Sequence, residues 1–260
     1  LLSFWPWQHI PAIIVLDEYV PAPNEDGERT LNAHDAANEA ARTMLAEQPP
    51  FFVVKESVGE QDPLVWNTGY VRQSYSHFHA DVYTDAEYVA LVDTDTLFVT
   101  PVTPGDLLDD RGRPIMVVQI GRPGTEFWRA TATKVEAFLK RPYLARGMAN
   151  WPVVVRTEHL AALRDYVMQA HNTSFENVFE AYCAGMKECH NKIVRYINDG
   201  SRPSRCVTDT LFCCAYDVMV TYLWYFHRDS YDWHFQQFDP LWDPELLPSQ
   251  MQDYSFLNES

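Results

Sequence analysis

The stretch Tyr88-Val89-Ala90-Leu91-Val92-Asp93-Thr94-Asp95-Thr96-Leu97-Phe98-Val99 decides how this chain reads. Its apolar run from Tyr88 to Val92 is too short for a helix and is closed off by polar residues and Pro101, so it reads as a buried strand. The strand carries Asp93 and Asp95 to its carboxyl end, the edge at which open α/β sheets bind ligands. A backbone turn at Thr94 would converge the two carboxylates on one cation. Hard oxygen donors of this kind suit Mg²⁺ or Mn²⁺, with coordination positions left for phosphate oxygens. The plainer reading, a polar turn at a strand end, needs no ligand at all.

Composition limits the choices. The chain has 260 residues, 47% of them hydrophobic and 14% aromatic, enough to bury a full core in one domain. A single domain over residues 1–260 is therefore expected. The net charge of -16 argues against nucleic acid or an anionic membrane as partner, because phosphate neutralisation needs clustered Lys and Arg. No apolar run approaches the length of a membrane span. The chain opens on Leu1-Leu2-Ser3-Phe4 without Met, which reads as a domain cut from a longer protein, so any membrane attachment would lie outside it. The cysteines Cys183, Cys189, Cys206, Cys213 and Cys214 all fall in the last third without zinc-site spacing. Together with the sequons at Asn172 and Asn258 they point to the secretory lumen, Golgi or ER, with reduced thiols in the cytoplasm as the alternative.

The remaining elements alternate. Pro11 to Asp17 reads as a first buried strand ending in a carboxylate, residues from about Ala33 to Ala46 as a helix, and Phe51 to Lys55 as a second strand. Gly69 to Asp81 reads as a helix with Tyr75, Phe78 and Val82 on one face, and with Arg72 and Gln73 near its start, where free N–H groups attract anions. Thr103 caps a short helical turn that has Pro104 in its first position. Arg113 to Gln119 is a strand, Glu126 to Lys140 an amphipathic helix, and Trp151 to Arg156 a strand. Thr157 then caps a helix running to about His171, and Phe175 to Lys187 forms another. The alternation predicts an α/β fold: a mixed, mostly parallel twisted sheet flanked by helices.

Two families share the Asp-x-Asp signature. Phosphotransferases of the haloacid dehalogenase type carry Asp-x-Asp-x-Thr after an apolar strand near the start of the chain. Here Leu97 stands in the Thr position and strand–helix units come first, so that resemblance, which implies an aspartyl-phosphate on Asp93, ranks third. The order Gly69-Tyr70-Val71-Arg72-Gln73, Asp81, Asp93-Thr94-Asp95-Thr96, Asn150-Trp151-Pro152 and Tyr222 to Asp229 resembles nucleotide-sugar glycosyltransferases of the GT-A fold over roughly residues 50 to 235.

That resemblance implies a Rossmann-like GT-A fold with a donor-nucleotide half over about 1–120 and an acceptor half over about 121–260, a nucleotide-diphospho-sugar donor (a UDP-sugar first among the candidates), Mn²⁺ or Mg²⁺, and a glycan, protein or small-molecule acceptor. In this reading Asp95 and Asp93 hold the metal, with Asp93 reaching it directly or through ribose or water. His234, inside the aromatic strand-like run Tyr231 to Phe235, is the third ligand. Arg72, Gln73, Asp17, Asp93, Thr94 and Asn150 bind the donor. Leu1 to Trp5 looks like a helix end where GT-A enzymes have a base-cradling strand, so either part of the nucleobase site is incomplete or the Ile13 strand is the first and sets Asp17 beside uracil or ribose. Asp209 and Asp217 are the candidate bases, sharing a helical face if one helix runs back from Tyr225 to Asp209. The recurrence of Thr94 to Phe98 as Thr208 to Phe212 lacks similar flanks and reads as coincidence. A non-catalytic nucleotide-sugar-binding protein of the same fold is the second reading.

Overall fold

The structure, a computed structural model, describes residues 12–16, 52–56, 69–92, 98–120, 126–147, 152–183 and 214–237. Strand β1 (Ala12–Leu16) pairs in parallel with β2 (Phe52–Glu56), Ile13 opposite Val53. Helix α1 (Gly69–Phe78) leads through a 3-10 turn (Ala80–Tyr83) to β3 (Tyr88–Leu91). The short α2 (Pro104–Leu107), β4 (Ile115–Ile120), α3 (Glu126–Leu139), β5 (Val153–Arg156), α4 (Thr157–His171) and α5 (Phe175–Cys183) follow. Helix α6 (Ala215–Phe226), a 3-10 turn (Arg228–Ser230) and β6 (Asp232–Gln237) end the described part. The fold is mixed α/β with small sheets. No described helix is long and apolar enough to cross a membrane.

Among the described residues the strands form three two-stranded pairings, β1 with β2 and β4 with β6 in parallel, β3 with β5 antiparallel. The antiparallel pairing corrects the expectation that the Asp93 strand lies among parallel neighbours. The strand–helix–strand rule fixes the direction of consecutive strands in one sheet, whereas β4 and its helix intervene between β3 and β5. Strand β4 alternates as a half-covered strand should, burying Met116, Val118 and Ile120, while Val153, Val154 and Val155 of β5 are all buried.

Helix ends follow their sequence signals with two exceptions. Thr103 precedes α2 and donates its amide (2.7 Å) and hydroxyl (2.7 Å) to the Asp106 carboxylate, as a capping pair with Pro104 predicts. Thr157, expected as the cap of α4, is instead its first residue, with Arg156 before it in extended conformation. Its hydroxyl donates to the Ala86 carbonyl (2.8 Å), which ties the helix start to the beginning of β3. Helix α1 ends at Phe78 and tightens into the 3-10 turn, so Val82 rotates out of the expected apolar face and is 56% exposed. The described part of α5 ends at Cys183, short of the expected Lys187.

The core gathers around α6, buried on every side from Ala215 to Leu223. Phe78 of α1, Phe138 of α3, and Phe175 and Phe179 of α5 form an aromatic group with centroids 5.4 to 6.1 Å apart. Arg164 of α4 grips Asp81 through both carboxylate oxygens at 2.6 and 2.8 Å and also donates to the Phe78 carbonyl, which fixes the 3-10 turn against α4.

Candidate functional site

Of the residues singled out in the sequence, Asp17, Asp93, Thr94, Asp95, Asn150 and Asp209 lie outside the described residues. Arg72, Gln73, Asp217 and His234 lie within them. The described structure reaches the Asp-x-Asp segment through β3, whose last residue, Leu91, pairs with Val153 at the start of β5. Asp93 is two peptide units beyond Leu91, and Asn150 three before Val153. The chain therefore leaves β3 towards Asp93 at the same end of the pair at which it enters β5 from Asn150.

Arg72 is in the first turns of α1 and is buried at 4% exposure; Gln73 beside it is half-buried. Nearby, His77 of the same helix meets Tyr216 of α6, with 3.2 Å between Nε2 and the hydroxyl. Burial pushes the His77 imidazole down to about 4, so it is neutral at physiological pH.

Asp217 sits in the first turn of α6 and is buried. Its Oδ1 accepts the Gly147 amide at 2.7 Å, and its Oδ2 accepts the Tyr143 hydroxyl at 3.4 Å. Burial raises the carboxyl from 3.8 to about 6, and the Gly147 amide and the Arg146 charge oppose the rise. The same burial pushes the Cys214 thiol and the Tyr143 hydroxyl well up. Asp217 is therefore ionised at neutral pH, and its carboxylate holds the segment after α3. That segment is also held by the Leu144 amide on Thr221 Oγ1 (3.4 Å) and by the mutual amide–carbonyl bonds of Arg146 and Gln119 (2.9 and 3.0 Å). Cys214, just before the helix, has extended backbone at φ -84 and ψ 111, so α6 does not run back to Asp209. The shared helical face expected for Asp209 and Asp217 is thereby corrected: the extended residue breaks the 3.6-residue period.

His234 lies in β6 opposite Val117 and is exposed. Its Nε2 is 2.8 Å from Asp232 Oδ2, on the opposite side of the strand from Trp233 and Phe235. Asp232 is also 3.6 Å from Arg113. No hydrogen bond or ion pair joins His234 to Asp217 among the described residues. Nor do the described residues contain a group of three or more His, Cys, Asp or Glu able to hold a metal ion. Of the three expected metal ligands only His234 is described, and its imidazole and the neighbouring carboxylate are chemically fit for Mn²⁺.

Sequence reasoning missed a second polar centre. The Tyr231 hydroxyl accepts the Arg156 amide (3.1 Å) and is hydrogen-bonded to His159 Nδ1 at 2.9 Å, with His159 Nε2 3.7 Å from Glu158. The His159 and His227 rings stack at 3.8 Å between centroids, 18° from parallel. Burial, then His227 and Arg156, push His159 down to about 4. Only the spacing Thr157-Glu158-His159 at a helix start was visible beforehand, and nothing in it names Tyr231 or His227 as partners.

No known protein family, curated protein or solved structure gives a significant match to this chain.

Proposed function

We propose that the chain is a divalent-metal-dependent glycosyltransferase of GT-A type, moving a sugar from a nucleotide-diphospho-sugar, a UDP-sugar first among the candidates, to an acceptor hydroxyl. The observation that carries this reading is the β3–β5 pairing. A strand with its last residue buried is followed in the sequence by Asp93-Thr94-Asp95, and the strand beside it is preceded by Asn150. Asp95 and Asp93 would hold Mn²⁺ or Mg²⁺ with His234, and the cation would supply charge stabilisation to the leaving diphosphate. Arg72, Gln73, Thr94, Asn150 and Asp17 would bind and orient the donor. The buried position of Arg72 suits a fixed guanidinium better than a solvated one. Asp209 is the candidate that would take the acceptor proton in an inverting reaction. The acidic chain, at net charge -16, makes local cations necessary for an anionic donor. The sequons at Asn172 and Asn258 favour the secretory lumen as the site of action.

The test is thermal. UDP with Mn²⁺ should raise the melting temperature, since a ligand that binds only the folded state stabilises it by mass action, and Asp95→Asn should abolish the rise. A shift that survives both a chelator and Asp95→Asn would remove the metal-bridged donor. A panel of nucleotide-sugars in the same assay identifies the base and sugar, and donor hydrolysis in water separates an enzyme from a binding protein.

A further inference from the structure

We infer that Asp217 is a positioning residue: its carboxylate fixes the Gly147 amide and so sets where the chain running from α3 to β5 leaves the core. The consequence for catalysis rests on the glycosyltransferase reading, but the anchor itself does not.

Three observations carry it. First, both oxygens of this buried carboxylate face one segment, Gly147 N–H on Oδ1 at 2.7 Å and Tyr143 O–H on Oδ2 at 3.4 Å. A general base needs an oxygen within reach of an acceptor hydroxyl, whereas this carboxylate is 2% exposed and its oxygens accept bonds from inside the core. Second, position 147 tolerates only glycine. A Cβ there would stand 2.4 Å from the Tyr216 carbonyl oxygen and 2.6 Å from its carbon, and both are backbone atoms that cannot swing aside. The close approach of two backbones is what lets the Gly147 amide reach Asp217 one residue further along α6. Third, the segment is pinned at its other side by the bonds of Arg146 to Gln119, next to the last residue of β4. The chain is thus gripped between β4 and α6, six residues before Val153 pairs with Leu91 at the approach to Asp93. An anchor that close to a site acts by holding backbone in place, where small displacements are costly to turnover.

The experiment compares wild type, Asp217→Asn and Asp217→Ala as the full chain, reading hydrogen exchange at the Gly147 amide and transfer from a UDP-sugar. The Asn carbonyl oxygen can accept the same amide bond, so Asp217→Asn should fold, keep Gly147 protected and rescue the turnover that Asp217→Ala loses. In Asp217→Ala exchange at Gly147 should quicken on the order of 10- to 100-fold, the scale of a hydrogen bond to a charged group. Unchanged exchange in Asp217→Ala overturns the anchor. So does loss of Gly147 protection, or failure to fold, in Asp217→Asn, which decides the matter by itself if the alanine variant does not fold. A protected Gly147 in Asp217→Asn with turnover down about 100-fold or more would make Asp217 the general base instead. Absence of any metal-dependent UDP binding by the wild type would count against the glycosyltransferase reading alone, and the exchange measurement would still decide the anchor.

Discussion

Asp217 and His159 are buried side chains of opposite charge type, each tied to a tyrosine hydroxyl and placed in the opening turn of a helix. Burial moves both towards their neutral forms, so the acid rises to about 6 and the imidazole falls to about 4. The difference lies in what holds them. Asp217 is bonded by a backbone amide and a hydroxyl that both donate to its ionised form, and Arg146 adds to their effect. His159 is held by a hydrogen bond to the Tyr231 hydroxyl and by a second imidazole stacked at 3.8 Å. At neutral pH, then, the buried Asp217 carboxylate keeps its charge inside the core, whereas the buried His159 imidazole is neutral beside the ion pair of Arg156 and Glu158. One region is built around a buried ion and its donors, the other around a neutral ring.

The variant expected to break the first region most completely is Gly147→Ala. The added Cβ meets backbone at 2.4 Å and would push the segment off α6, losing the Asp217 bond as well. A loss of about 3 kcal/mol or more is expected, the upper range for overpacking a close-packed site. Urea unfolding measures it. A loss under roughly 0.5 kcal/mol would show that the backbones can separate freely, and the contrast between the regions would then rest on the carboxylate alone.

The pH dependence separates the two regions by sign. The folded chain holds the Asp217 proton more tightly than the unfolded chain does. Its contribution to stability is therefore greatest below about 3.8, falls as pH rises to about 6, and stays lower beyond, by roughly 3 kcal/mol for the whole shift. Relative to Asp217→Asn, wild type should lose stability as pH rises through that window. For His159 the folded chain binds its proton less tightly. Its contribution is complete above 6.5 and is lost as pH falls towards about 4. Relative to His159→Gln, wild type should lose stability as pH falls, by an amount of the same order, because the two shifts are of similar size and opposite sign. Denaturant midpoints of the three proteins between pH 4 and 7 give both signs. Two difference curves of the same slope would abolish the contrast.

What the sequence made legible was local. Alternation in Ile115–Ile120, the valine run of β5, the helix from Thr157 to His171 and the Thr103–Asp106 cap are all written within a few residues of themselves. The antiparallel direction of β5 was hidden because β4 intervenes in the chain, and the end of α1 at Phe78 because the 3-10 turn continues an apolar pattern with a different period. The polar centres were hidden for a stronger reason. Asp217 meets Gly147 across 70 residues and His159 meets Tyr231 across 72, so neither pairing leaves a periodicity that a window of sequence could show. Asp217 could be picked out as an acid in an apolar run, but the donors that set its role could not.

His234 offers the smallest expected effect on stability and the finest test, because it belongs to neither buried region. It is exposed on β6, paired with Asp232 at 2.8 Å, and the pair is reached by solvent. Exposed pairs of this kind contribute between zero and about 1 kcal/mol, since water screens the attraction and side-chain entropy opposes it. His234→Ala should therefore shift the denaturant midpoint by less than about 0.5 kcal/mol. If His234 is a metal ligand, the same variant should lose the Mn²⁺-dependent part of the thermal shift with UDP while its stability without metal stays near wild type. That separation is informative because a buried residue such as His159 could not give it: removing His159 alters the fold and any bound ligand together. A His234→Ala chain with an unchanged Mn²⁺ response would take the third ligand away from β6 and leave the cation to Asp93, Asp95 and the donor phosphates.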